Sequence, residues 1–152
     1  MIDKLDGLVD EIYTLNSKLI LLIGPSQSGK TKLLRQLAER RKACVLTAGA
    51  TLGRKLLTVP STERRLLAPS LLKQLANEFV IEGLLLLDNL ELLFDRTLQL
   101  SPLDLLKRCA SAHRVVAVWP GELHEGRLSY AKIGHSEHQD YGIEGLVPFI
   151  VQ

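Results

Sequence analysis

A chain of 152 residues is long enough for one domain that buries its own core without disulfides or a structural metal. Its 19 basic and 17 acidic side chains leave a formal +2, which does not by itself require nucleic acid or an anionic membrane as partner. No stretch approaches the ~20 apolar residues of a membrane span, and acidic residues from Asp3 onward do not resemble an export leader, so a cytoplasmic protein without an anchor is expected.

Ile2, Leu5, Leu8, Val9, Ile12, Tyr13 and Leu15 recur at helical spacing with acids between them, which predicts an amphipathic lead-in helix over 1–16. Asn16 and Ser17 break that pattern. Leu19 to Ile23 is then an apolar run of strand length that ends at Gly24. A helix over 30–41 and a short strand over 43–47 follow, and a linker of mixed composition is expected through Pro60. Leu67, Leu71, Leu72, Leu75, Ala76 and Phe79 mark another helical face, which Pro69 must start or kink.

Leu84, Leu85, Leu86 and Leu87, closed by Asp88, read as a strand covered on both faces and imply a parallel sheet. Ser101 and Pro102 form a helix start, a capping hydroxyl followed by proline in the first turn, for a helix to about Ala112. Val115 to Trp119 is another buried strand. In the more polar remainder over 120–152, Arg127 to Ile133 and Leu146 to Val151 are candidate strands, the last restricted to a sheet edge by Pro148. The alternation predicts one domain over 1–152, an α/β doubly wound, mainly parallel sheet flanked by helices. Cys44 and Cys109 sit in apolar stretches without CxxC spacing, so buried, reduced thiols are expected.

Between the first strand and the second helix stand Gly24, Pro25, Ser26, Gln27, Ser28, Gly29, Lys30 and Thr31, the full GxxxxGK[ST] phosphate-loop pattern in its required strand-to-helix context. Such a loop wraps phosphates with inward N–H groups, which Gly24 and Gly29 permit because neither has a Cβ. The positive end of the following helix, on which Lys32 lies, adds to that field. Lys30 is expected to reach the β- and γ-phosphates of ATP, and the Thr31 hydroxyl to hold Mg²⁺.

Asp88, at the carboxyl edge of its strand beside this loop, is the expected second Mg²⁺ group, holding the ion through water; a helix-capping role is the other reading. A base that activates water is expected directly after such an aspartate, but Asn89 stands there and an amide cannot act as a base. Glu91 is the remaining catalytic candidate, or else a surface acid on a short helix. Slow or partner-dependent turnover follows from the second reading.

Arg40, Arg41 and Lys42 close a helix, where the dipole favours cations. Arg64, Arg65, Lys107 and Arg108 are helical charges; any of these arginines could reach a neighbouring subunit's phosphate, and the sequence does not choose among them. His135, Glu137 and His138 are three potential ligands without a second cluster to complete a zinc site, so a polar loop is the simpler reading.

The loop over 24–31, the helix through Arg65 to Phe79, the run from Leu84 to Phe94 and the segment 134–138 together resemble BrxF, the small P-loop family of bacteriophage-exclusion (BREX) defence systems. More broadly, the motif order is similar to the AAA+ core of the P-loop NTPase fold. The resemblance implies an ATPase that oligomerises and works with other BREX proteins, in contact with DNA directly or through them, with Lys30 and Thr31 in the phosphate-loop roles and Asp88 in the second Mg²⁺ role; the expected catalytic set is Lys30 and Asp88, with Glu91 added from the residues alone. It departs from that core at Asn89, at Trp119 and Pro120 where a polar sensor belongs, and in lacking a helical lid domain. Three readings stand: a Mg·ATP-dependent assembly switch of weak ATPase activity, a small-molecule kinase, and a non-hydrolysing interaction module.

Overall fold

A computed structural model describes residues 1–14, 18–130 and 139–152. Helix α1 (Ile2–Glu11) buries Leu5 and Val9, and a 3-10 turn continues it to bury Ile12. Strand β1 (Leu19–Ile23) has all five side chains buried, and α2 (Lys30–Arg41) follows the glycine loop. After β2 (Val45–Thr47) the chain forms α3 (Ala48–Leu56), then α4 (Arg64–Phe79) and β3 (Leu84–Asp88). Helix α5 (Pro102–Ala112) leads into β4 (Arg114–Val118). Three short strands, β5 (Gly121–His124), β6 (Arg127–Tyr130) and β7 (Gln139–Gly142), precede β8 (Val147–Ile150).

Five strands make one parallel sheet in the order β2-β3-β4-β1-β8, flanked by helices. The alternation of side chains along each strand divides the core in two. Ile20, Leu22, Leu84, Leu86, Val116 and Val118 pack under α1 and α2, while Leu19, Leu21, Leu85, Leu87, Val115 and Ala117 pack under α3, α4 and α5. The apolar runs of these strands therefore have a partner on each face, and each fully buried leucine contributes about 1.5–3 kcal/mol of transfer free energy. Pro148 lies on β8, an edge strand paired only with β1, as its missing N–H requires. No described helix is long and apolar enough to cross a membrane.

Several expectations are corrected. The linker expected before Pro60 is largely helix, because α3 buries Ala48, Gly49, Leu52 and Leu56. Pro69 does not start α4 but lies inside it. The bond it cannot make would have gone to the Arg65 carbonyl, and Arg65 is exposed, so water can meet that group. Ser101 precedes α5 without a side-chain capping bond. Cys44 is exposed, and Cys109 is only partly buried, although burial still pushes its thiol pKa up.

The region after β4 holds more strand than periodicity suggests. Strands β5, β6 and β7 form a separate antiparallel sheet. Its first hairpin pairs His124 with Arg127 across Glu125 and Gly126, whose φ values of 51° and 75° give the two left-handed residues of a tight twisted turn. Among the described residues no helix follows β4. The segment with His135, Glu137 and His138 lies outside the described residues.

Candidate functional site

The carboxyl ends of β1, β3 and β4 bring together the loop over 24–31, the turn after Asp88 and the exit from β4. Hydrogen-bonded order puts β4 between β1 and β3, so Asp88 reaches the loop across one intervening strand rather than from the strand next to it.

The loop leaves β1 through Gly24, where a Cβ would collide with the Val151 carbonyl just beyond β8. The Val151 N–H donates to the Ile23 carbonyl at 2.7 Å, so the last strand forms the outer wall of the loop's entry. Ser28 N–H closes a turn onto the Pro25 carbonyl at 3.1 Å, and Gln27 and Gly29 take φ values of 63° and 95°. The reversed hand at Gly29 costs little because glycine has no Cβ, and it directs the chain into α2. Pro25, Ser26, Gln27 and Lys32 are exposed, while Thr31 is half-buried in the first turn. In that helix the Leu33 N–H donates to the Gly29 carbonyl at 2.9 Å. The preceding amides of the first turn have no carbonyl within the helix to meet.

Lys30 reaches back across this loop. Its ammonium donates to the Gly24 carbonyl at 2.8 Å and to the Trp119 carbonyl at 3.1 Å. Burial is the largest influence on its pKa and lowers it, and the carboxylates of Glu91, Asp88 and Glu122 oppose that in decreasing order. The fold therefore gathers Lys30, Asp88 and Glu91 as the sequence pattern expects and adds Glu122 from β5. Glu122 left no sequence signal, since nothing near it announces a strand returning to the loop.

Asn89 is committed elsewhere. At φ 60° it holds a left-handed conformation that asparagine tolerates better than most residues. The main-chain carbonyl of Asn89 accepts from Gly49 N–H at 2.7 Å, and its side-chain Oδ1 accepts from Ala50 N–H at 2.8 Å. These bonds satisfy the first turn of α3, whose own leading residue, Thr47, gives no side-chain cap. On its other side Asn89 Nδ2 donates to Glu91 Oε2 at 3.1 Å, and Asp88 Oδ1 accepts from Asn89 N–H at 2.7 Å. One asparagine thus ties the acidic turn to α3 and holds Glu91.

Among the described residues, no three His, Cys, Asp or Glu side chains cluster as a metal site. No family model matches the sequence, and no curated protein does. The fold has a counterpart among solved structures. It is similar to the structure of C. elegans PCH-2, at 17% sequence identity and a TM-score of 0.50, over 99% of this chain and 41% of that one. The chain thus spans about two fifths of that protein's length, and the likeness is one of α/β fold.

Proposed function

We propose that this chain is an AAA+-like P-loop protein that binds ATP with Mg²⁺ and works as an assembly switch of weak or partner-dependent ATPase activity. The observation that carries this reading is the position of Lys30. A partly desolvated ammonium stands over a loop of reversed hand, anchored by two main-chain carbonyls, with the acids after β3 acting on it.

The residues present fit a polyphosphate. Ser28 Oγ is buried without a hydrogen-bond partner beside Gly24, and the space a Cβ would take at Gly29 is empty to 4 Å. A buried unsatisfied hydroxyl costs about 1–3 kcal/mol, which an anion in the loop would offset. Gly24 to Thr31 and Lys32 would line the phosphates, with Lys30 as their cation and the first-turn amides of α2 as donors. Thr31 and Asp88 would hold Mg²⁺. When bound, Mg·ATP supplies a transferable γ-phosphoryl group.

Asn89 supports the weak-turnover half of the reading. Its amide is bonded at both ends and has no basic lone pair, so Glu91 is the only acid of that turn available to orient water, and Asn89 restrains it. A non-hydrolysing module is the second reading that this restraint favours. For partners, the reading rests on the sequence resemblance to BrxF: further copies of the chain, other BREX proteins, and DNA directly or through them.

Titration calorimetry with Mg·ATP tests the core claim. Lys30→Ala is expected to lose binding, and retained binding would overturn the assignment. Glu91→Gln is expected to abolish phosphate release measured with partners present; unchanged release removes Glu91 from the catalytic set. Mass measurement with and without Mg·ATP and DNA tests the switch, which a monomer in every condition would refute.

A further inference from the structure

The small antiparallel sheet is joined to the site through one residue. Trp119 is the single tryptophan of the chain and is fully buried. Its N–H donates to the Leu22 carbonyl at 2.9 Å, its own carbonyl receives Lys30 Nζ at 3.1 Å, and its indole Nε1 donates to the Ser129 carbonyl on β6 at 3.1 Å. It therefore bonds β1, the loop lysine and the small sheet at once.

The ring contacts run the same way. Phe94 meets Trp119 edge-on at 5.4 Å and stacks on Tyr130 at 4.0 Å with 13° between the planes. Tyr141 meets Trp119 edge-on at 5.6 Å. Phe94 ends the 3-10 turn that begins at Glu91, so this aromatic cluster touches both the acidic turn and the residue that anchors Lys30. Gly121 lets the small sheet approach this closely, since a Cβ there would overlap the Ser129 carbonyl and stand 2.8 Å from Trp119 Nε1.

We propose that the β5–β7 sheet is a positioning part of the nucleotide site, fixing Trp119 so that its carbonyl aims the Lys30 ammonium. This rests on the reading of Lys30 as a phosphate ligand. An ammonium has three donors, and the Gly24 and Trp119 carbonyls take two of them. The direction of the third follows from those anchors. A shift of the small sheet moves one anchor and misdirects the donor offered to phosphate. The same bonds run in reverse, because a phosphate that draws Lys30 away from the Trp119 carbonyl changes the field at the indole.

The experiment combines nucleotide binding with Trp119 emission. Tyr130→Leu, which removes the stack on Phe94, is expected to weaken Mg·ATP binding about tenfold, while Tyr130→Phe, which keeps it, binds like the wild type. Gly121→Ala displaces the sheet without removing a side chain and is expected to act like Tyr130→Leu; it serves if the leucine variant does not fold. Lys30→Met is expected to shift Trp119 emission in nucleotide-free protein. Wild-type affinity in folded Tyr130→Leu or Gly121→Ala, or unaltered emission in Lys30→Met, overturns the proposal. If the wild type binds no Mg·ATP, the function proposed above falls, and the nucleotide-free emission alone decides the Lys30–Trp119 coupling.

Discussion

Replacing Asn89 separates two contributions that one residue makes to the turn after β3. Asn89→Ala deletes the Oδ1 acceptor of Ala50 N–H and places alanine at φ 60°. Loss of a capping acceptor at a helix start costs about 1 kcal/mol, and a left-handed alanine costs about 1–2 kcal/mol more. The sum is roughly 2–3 kcal/mol, or a fall in Tm of roughly 4–12 °C for a domain of this length. Asn89→Gly deletes the same acceptor without the backbone cost, so it is expected to lose only about 1 kcal/mol. Asn89→Asp keeps an acceptor for Ala50 but puts a like charge on Glu91 in place of the Nδ2 donor, so it should keep most stability while releasing Glu91. Differential scanning calorimetry orders the three: aspartate nearest wild type, then glycine, then alanine. Equal Tm values for the glycine and alanine variants would refute the backbone contribution. Three values within error of wild type would show that the tether does not hold α3.

Arg114 is 7% exposed, donates to the Val9 and Glu82 carbonyls and lies 4.0 Å from the Tyr13 ring centre, so Arg114→Leu should cost about 2–4 kcal/mol in urea unfolding by stranding those carbonyls. Arg40 beside Asp3 holds that carboxyl below its ordinary 3.8. The stabilisation is therefore present above that value and lost as pH falls through the lower folded pKa; the protection of α1 amides from hydrogen exchange, relative to the intrinsic rate at each pH, should fall on acidification there, an effect absent from Asp3→Asn. Burial, with Asp104 nearby, pushes the Tyr141 hydroxyl to about 12. Its contribution is complete below the ordinary value of 10.0 and disappears as pH rises through the folded one, so ultraviolet titration should show a late tyrosinate that Tyr141→Phe removes.

The parallel sheet was legible because its central strands are continuous apolar runs bounded at most by one polar end residue, and a run such as Leu84 to Leu87 has few other places to sit. The loop was legible because glycine and lysine spacing there answers to a local geometry. The α3 helix was not, since its N-terminus is capped by Asn89 from a distant turn, and that partner leaves no mark near Thr47. Of the small sheet only β6 was anticipated, in the run from Arg127, and its partners β5 and β7 escaped for a related reason. Its turn is Glu125 and Gly126 rather than an asparagine-glycine pair, and its apolar face of Leu123, Leu128, Tyr130 and Tyr141 becomes meaningful only against Phe94 and Trp119. Glu122 inherits that invisibility, because its nearness to Lys30 depends on where the small sheet docks.

Val151 beside Gly24 carries a consequence for the order of events at the ribosome. The glycine loop is translated well before Val151, just beyond β8, whose carbonyl walls its entry. At roughly 5–20 residues per second, the loop's sequence waits roughly 6–25 seconds for that wall. A nascent chain stalled before β8 would carry every residue of the motif with β1 open along one edge, so the loop matures late although it is translated early.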